Sequence, residues 1–142
     1  MTTDPTSGPT SGPTSDAERR EAGMRTRREV LGDEWVDRAV ARTTPFTADW
    51  QDFITRTAWG DLWQRPGLAR RDRSLMTLSI TIALRHWDEF ALHVRAAKNN
   101  GLSDEEIAEV CQHAAVYAGV PAANHAFAVA APILEELRGD RA

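Results

Sequence analysis

The chain has 142 residues, 42% of them hydrophobic, which is enough for one domain with a modest core. Its 17 basic and 21 acidic residues give a net charge of −4, which argues against a general nucleic-acid-binding protein. No apolar run approaches the roughly 18 residues of a membrane span, and no apolar signal core opens the chain. A single cysteine, Cys111, excludes an internal disulfide. The sequence predicts a cytoplasmic protein without nucleic-acid or membrane partners.

Residues 1–15 differ from the rest in composition. They contain the tandem repeat TSGPTSGPTS, whose small, turn-forming residues have little apolar surface to bury. Such a segment does not offset the entropy lost on ordering. We predict a disordered low-complexity tail over residues 1–15 and one domain over residues 16–142. The remnant of a linker is the alternative interpretation of the repeat.

The first half of the domain shows helical patterns in succession. Asp16 is placed to cap a helix that ends near Gly32, and DEWVDRAVAR continues as a second, short helix. Residues 43–63 carry apolar side chains at helical spacing and end before the turn at 65–67.

Residues 70–85 fit two interpretations. The alternating, β-branched run LSITIAL suits a strand, yet the chain offers no second strand to pair with it. The absence of Gly and Pro favours a helix instead. Because this helix is apolar nearly all round, we expect it to be buried.

The second half contains clear helix boundaries. Gly101 is placed to end the helix that begins HWDEF, and Ser103 and Glu106 form a capping box for the next helix. Gly119 ends that helix, and Pro121 suits the first turn of a last, alanine-rich helix with a kink at Pro132. The fold prediction is all-α, with about six or seven helices.

Two consecutive helices place titratable residues beside their apolar stripes. At 3.6 residues per turn, His86, Glu89 and His93 fall within roughly 60° of one another. His113 and Tyr117 take a similar position on the next helix. Since the link between the helices is short, we expect an antiparallel pair in which His93 and His113 face one cleft.

More ordinary interpretations exist for these residues. Glu89 and His93 match a surface pair four residues apart, and Tyr117 matches a half-buried packing residue. The spacing H-x-x-E-x-x-x-H has the chemistry for zinc but is not a specific metal signature, so we expect no metal. Cys111 lies on an apolar stripe and is predicted to be an inert buried thiol.

Longer segments resemble the gamma-carboxymuconolactone decarboxylases. The similarity extends over residues 19–137 and is carried by RREVLGDEWVDRA, DFITRTAWGDLWQRPGLARRDRSL, DEFALHVRAAKNNGLSDEEIAEV and HAAVYAGVPAANHAFAVA. It implies the alkylhydroperoxidase D-like helical fold. Peroxidase relatives carry C-x-x-C-x-x-x-H, whereas this chain has His86 and Glu89 in place of the two cysteines. Without a redox pair, the peroxidase reaction has no chemistry to use.

The resemblance implies decarboxylation of gamma-carboxymuconolactone to the β-ketoadipate enol-lactone, in the protocatechuate branch of aromatic catabolism. The substrate is an unsaturated five-membered lactone whose γ carbon carries a carboxylate and an acetate arm. Electrons released with the ring carboxylate flow to the lactone carbonyl, so no cofactor or metal is required. The resemblance also implies a homohexamer, a trimer of dimers with active sites near subunit contacts.

Roles for individual residues follow from this chemistry. His93 is the first choice as donor of a proton to the α carbon, with Glu89 one turn earlier to orient it or hold it protonated. His113 and Tyr117 are the second choice, as donors to the lactone oxygen. His86 is placed with the substrate-binding residues.

Arg65 and Arg73 lie in a segment that resembles the family. Since arginine binds carboxylates through two parallel hydrogen bonds, we expect these residues to bind the acetate arm of the substrate. A salt bridge or helix cap is the alternative for each. The five tryptophans are predicted as core or interface anchors. Two other functions stay open. One is a related lyase or isomerase acting on another unsaturated lactone or acid, and the other is a non-enzymatic helical oligomer.

Overall fold

The computed structural model describes residues 15–140, which form seven α-helices and one π-helical segment and contain no strand. The elements are α1 Asp16–Leu31, α2 Asp33–Ala41, α3 Ala48–Ile54, the π segment Thr55–Leu62, α4 Arg70–Ala83, α5 Trp87–Asn99, α6 Asp104–Ala118 and α7 Val120–Gly139. The all-α prediction is therefore confirmed. The predicted tail lies outside the described residues except for Ser15.

Two helices begin with the same reciprocal cap. The Ser15 hydroxyl accepts a hydrogen bond from the Glu18 backbone N–H, and the Glu18 carboxylate accepts one from the Ser15 backbone N–H. Ser15, not the predicted Asp16, is therefore the N-cap of α1. Ser103 and Glu106 form the predicted capping box of α6.

Helices α4 to α7 enclose the larger hydrophobic core, in which Leu78, Phe90 and Ile107 are almost completely buried. Burial of such side chains contributes roughly 2 kcal/mol each. The helix predicted over residues 70–85 is present, but a single chain does not bury it on all sides. Ile80 and Leu84 on α4 are exposed, because α5, α6 and α7 cover only part of its surface.

The predicted antiparallel pair of α5 and α6 is also wrong. Gly101 has the positive φ of 91° expected at the end of α5, but the chain then leaves α5 rather than folding back along it. Helix α5 packs mainly on α4, α7 and α1, whereas α6 packs on α4 and α7. The two histidine-bearing helices therefore have different surroundings.

The N-terminal layer consists of α1 to the π segment, which packs on α1 at very short range. A Cβ atom at Gly23 would lie 2.0 Å from the Thr55 carbonyl oxygen, and one at Gly60 would lie 2.4 Å from the Arg19 carbonyl oxygen. Only glycine permits this approach. The helix predicted over residues 43–63 starts five residues later, at Ala48, and widens to π geometry at Thr55.

The last helix, α7, starts at Val120 with Pro121 in its first turn, as predicted. It contains Pro132 and continues to Gly139. Among residues 15–140, no helix combines the length and apolar character needed to cross a bilayer. The cytoplasmic location stays a prediction.

Candidate active site

A cavity of about 420 Å³ lies between the N-terminal layer and helices α4 and α5. Its volume falls within the range of small-molecule sites. Four of the five tryptophans line it: Trp35, Trp50, Trp59 and Trp63. The Trp59 and Trp63 rings stack with their centres 5.2 Å apart, so the end of the π segment forms a continuous aromatic wall.

His93 projects from α5 into this cavity and is only 7% exposed. Its ring stacks on Trp63, with the ring centres 6.2 Å apart and the planes 16° from parallel. Within the described part of the chain, the imidazole Nδ1 is buried and has no hydrogen-bond partner. Burial lowers the pKa of His93 to about 4, so the ring is neutral at pH 7.

Glu89 lies at the exposed edge of the same cavity. Its Oε2 atom is 3.9 Å from His93 Nε2, too far for a hydrogen bond. Glu89 therefore does not hold His93 protonated in the free protein, which corrects one of the two roles that the sequence suggested. The solvated carboxylate is too distant to offset the burial of the imidazole.

Arg27 faces the cavity from α1 and is only 5% exposed. Its Nη1 donates to Thr55 Oγ1 at 3.3 Å and its Nη2 to Gln51 Oε1 at 3.1 Å, while Nε has no partner among residues 15–140. The guanidinium carbon lies 5.5 Å from the ring centre of Trp35. Desolvation lowers the pKa of Arg27 below its usual value.

Arg27 is not among the site residues predicted from the sequence. The signal that identifies it is its register on α1, because it falls on the face that also buries Gly23, Val30 and Leu31. An arginine at such a position is unusual and indicates a polar ligand or a buried partner.

The two arginines that the sequence selected lie elsewhere. Arg65 is exposed and lines a separate hollow of about 490 Å³ together with Arg25 and Arg70. Arg73 is buried, and its Nη2 donates to the Arg65 carbonyl oxygen at 3.0 Å. Arg73 thereby fastens the turn after the π segment. Within one chain, neither side chain lines the His93 cavity.

The remaining predicted site residues are on the surface of the chain. His86 is the exposed N-cap of α5. The rings of His113 and Tyr117 contact each other in a tilted arrangement with their centres 5.1 Å apart, and Tyr117 is 80% exposed. A single chain does not bring His113 into the cavity of His93, because α5 and α6 do not form the expected pair.

Other reactive groups do not converge here. Among residues 15–140, no three His, Cys, Asp or Glu side chains are close enough together to hold a metal ion. Cys111 is buried, and burial raises the pKa of its thiol to about 11. The predicted burial of Cys111 is therefore confirmed, and since the reactive thiolate is disfavoured, the inert thiol stays our prediction.

Comparison with known proteins identifies the family. Residues 48–132 match the Carboxymuconolactone decarboxylase family. The chain is 42% identical to a 4-carboxymuconolactone decarboxylase from Acinetobacter baylyi, over 87% of this chain and 92% of the relative. It is 44% identical to a nitrosuccinic acid decarboxylase from Metarhizium robertsii, over 82% of each sequence.

A further 4-carboxymuconolactone decarboxylase sequence, from Pseudomonas putida, is 46% identical over 46 residues, which is 32% of this chain and 96% of that sequence. The family match contains α3 to α6 and most of α7, and so includes His93, while Arg27 precedes it. By the extent and identity of these matches, the chain belongs to the carboxymuconolactone decarboxylase family.

Proposed function

We propose that this protein decarboxylates gamma-carboxymuconolactone to the β-ketoadipate enol-lactone without a cofactor, and that the reaction takes place in the His93 cavity. One observation carries the location. A buried neutral histidine and a buried arginine without a carboxylate partner line the same cavity of substrate size. The family of the chain and its identity with named decarboxylases support the reaction type.

The substrate supplies its own electron sink. The bond between the γ carbon and its carboxylate breaks, and carbon dioxide leaves. The electron pair of that bond forms a new double bond between the γ and β carbons, and the former double bond shifts its electrons toward the lactone carbonyl. The resulting dienolate takes one proton at the α carbon to give the enol-lactone. The protein therefore has to bind an anion, stabilise the dienolate and deliver a proton.

His93 is the proposed source of that proton. The ring is neutral in the free protein, but an anionic substrate within about 4–6 Å favours the imidazolium. Binding of the substrate, rather than Glu89, thus prepares His93 to donate. After transfer, the neutral imidazole regains a proton from solvent at the exposed edge where Glu89 lies.

The aromatic walls have a complementary role. Trp59 and Trp63 exclude water from the carboxylate that departs, and an apolar environment disfavours its charge more than that of the delocalised dienolate. Loss of neutral carbon dioxide relieves this cost.

A second substrate class is supported by the Metarhizium robertsii relative, which is named for nitrosuccinic acid. In that compound one carboxylate shares a carbon with a nitro group, which accepts the electrons released on decarboxylation. The adjoining carbon is a CH₂ that bears the second carboxylate. Gamma-carboxymuconolactone has the same arrangement of a departing carboxylate, an electron sink and an acetate arm on one carbon. A nitro or other activated dicarboxylic acid is therefore the second candidate substrate.

We also propose a homo-oligomer, most simply the hexamer that the family resemblance implies. Exposed apolar side chains support it: Phe46 is 96% exposed, and Trp50, Phe53 and Ile80 are also open to solvent. A partner is needed to cover surface of this kind. Because Trp50 both lines the cavity and is exposed, a neighbouring subunit on α3 would narrow the cavity entrance. Sedimentation should give about six times 15.7 kDa. A fully active monomer would refute the assembly.

The proposed reaction is tested by mixing purified protein with gamma-carboxymuconolactone and no added cofactor. We expect equimolar carbon dioxide and enol-lactone. Turnover of nitrosuccinic acid alone would select the second substrate class. If neither acid is decarboxylated by folded protein, the enzymatic proposal fails and a non-enzymatic oligomer becomes the better interpretation.

A further inference from the structure

Helix α1 carries five arginines, and four of them pair with carboxylates. These are Arg19 with Asp16 and Asp61, Arg20 with Asp52, Arg25 with Glu21, and Arg28 with Asp33 and Asp37. Arg27, the buried one, is different, because no carboxylate oxygen among residues 15–140 lies within 4.0 Å of its guanidinium. The arginine that is most removed from water therefore lacks a counter-charge.

The surroundings of Arg27 fix its guanidinium and leave an edge of it unpaired. A guanidinium has five N–H donors. One donor contacts Thr55 and one contacts Gln51, while Nε has no partner in the described chain. The guanidinium carbon lies over the ring of Trp35, and each Nη keeps one N–H without a partner among residues 15–140. Two adjacent N–H groups on one edge match the two oxygens of a carboxylate.

A buried cation without an anion costs folding free energy. The lowered pKa of Arg27 reflects that cost, since desolvation is its largest cause. Thr55 and Gln51 are neutral and supply no charge. A carboxylate ligand would supply the missing charge, and its binding would recover part of the cost.

We infer that Arg27 binds the carboxylate that the substrate retains, so that the site selects acids with a CH₂–COO⁻ arm on the carbon that loses carbon dioxide. This inference rests on the proposed function. The retained carboxylate is the better ligand, because a cation on the departing one would stabilise the ground state and slow its loss. The retained arm keeps its charge throughout the reaction, so Arg27 holds substrate and transition state alike. His93, which lines the same cavity from α5, is then free to act on the ring.

Muconolactone is the probe for this inference, since it keeps the ring and the acetate arm but has no γ-carboxylate to lose. Four tryptophans line the cavity, so intrinsic fluorescence reports its binding without turnover. We expect wild type to bind the acid on the order of 10- to 100-fold more tightly than its methyl ester, the scale of a charge-assisted hydrogen bond. Arg27→Met should bind acid and ester equally. Arg27→Lys keeps the positive charge but cannot form two parallel hydrogen bonds to a carboxylate. Its preference for the acid over the ester should therefore lie between that of wild type and that of Arg27→Met.

Arg25→Gln is the matched control, because Arg25 lies on the same helix, is exposed and pairs with Glu21. It should bind like wild type. Equal affinity of wild type for acid and ester, or an undiminished preference for the acid in Arg27→Met, would overturn the inference. The inference would also fail if Arg65→Gln, rather than Arg27→Met, removed the preference for the acid over the ester.

Stability separates a binding role from a structural one. If Arg27 serves to hold α1 against α3 and the π segment, Arg27→Met should lower the melting temperature. Removal of an unpaired buried charge should instead leave the melting temperature unchanged or raise it.

Turnover separates the inference from the proposed function. Decarboxylation with an unchanged KM in Arg27→Met would reject the inference alone. Arg27-dependent binding of muconolactone without any turnover of gamma-carboxymuconolactone would reject the proposed function alone.

Discussion

The core of α4 to α7 and the N-terminal layer of α1 to the π segment are built differently. The core encloses the larger cluster of aliphatic and aromatic side chains, as with Leu78 and Phe90, although α4 also buries Arg73, Ser74 and Thr81. The layer has a smaller hydrophobic cluster and buries Thr26, Arg27 and Thr55. Three buried side-chain nitrogens have no partner within residues 15–140, and two of them, Arg27 Nε and His93 Nδ1, belong to residues that line the cavity between the two regions. The core cluster supplies stability, while α1 and α5 place two costly polar side chains, Arg27 and His93, at the cavity between the two regions.

His93 and His113 show the same contrast at the level of single residues. Each lies on a helix beside an apolar stripe, yet one is buried against Trp63 and the other is exposed against Tyr117. The difference comes from what covers each helix. The N-terminal layer lies over α5, whereas no element of the described chain covers the His113 side of α6.

The largest expected effect is on catalysis. His93→Gln should reduce kcat by roughly 100-fold or more, the typical scale for loss of a general acid. His125→Gln is the control, because His125 is exposed and contacts Trp87 outside the cavity. Steady-state rates of the two folded variants test this. Normal turnover by His93→Gln would remove His93 as the proton donor.

His113→Gln sharpens the same comparison. In one chain His113 is outside the cavity, so a loss as large as that of His93→Gln would mean that a neighbouring subunit contributes it. An unchanged rate would leave His93 as the histidine of the site.

Local signals in the sequence predicted the helix ends around α5, α6 and α7 correctly. Ser103 with Glu106, Gly101 and Pro121 act on their own helix ends, so their patterns predict those ends without knowledge of the fold. The cavity depends on the approach of α1 to α5, which are distant in sequence. Apart from its register on the helix, no local pattern therefore distinguishes Arg27 from the other four arginines of α1.

The sequence also could not show which apolar faces a single chain covers. Ile80 was expected to be buried, but it is exposed in the single chain. A hydrophobic side chain favours burial, but the sequence does not show which element or subunit would contact it. The π segment has no local signature comparable to a capping box. Its position is defined by contact with α1 at Gly23 and Gly60, a tertiary feature.

The next largest effect concerns the packing of the π segment on α1 within the N-terminal layer. Gly23→Ala should lower the free energy of unfolding by about 3 kcal/mol, the upper end for overpacking, because the new Cβ meets a backbone oxygen that has little freedom to move. This loss outweighs the gain in helix propensity, about 1 kcal/mol. Gly139→Ala is the control, because a Cβ atom at this position of α7 would meet no atom of the described chain beyond the adjacent backbone within 4 Å. Its change in stability should therefore show the gain in helix propensity alone. Urea denaturation measures both, and equal stabilities would contradict the close contact.

The pH dependence of stability should identify the buried histidine. The pKa of His93 is about 4 in the folded protein and near 6.5 in the unfolded chain, so the unfolded chain gains a proton first as pH falls. Stability is complete above pH 6.5 and should fall by about 2 kcal/mol between pH 7 and pH 5.

His93→Gln should remove this slope, as measured by urea denaturation at each pH. Carboxylates such as Asp52 and Glu106, whose pKa values are lowered by arginine partners, lose their ion pairs at more acidic pH. An identical slope in wild type and His93→Gln would mean that His93 is not buried in a neutral state.

The smallest expected effect is that of chelation. Since the substrate is its own electron sink, exhaustive treatment with EDTA should leave kcat unchanged. The measurement is the rate before and after dialysis against the chelator. Loss of activity that zinc restores would contradict a mechanism without metal.

The central claim is that Arg27 and His93 serve one anionic ligand in one cavity. Histidine NMR of ¹⁵N-labelled protein tests it most directly, by titrating His93 in the absence and presence of muconolactone. We expect muconolactone to raise the pKa of His93 from about 4 by roughly 1 or more. We expect no rise when the methyl ester replaces the acid, and none in Arg27→Met. A His93 titration that muconolactone leaves unchanged, in protein that binds it, would contradict the claim.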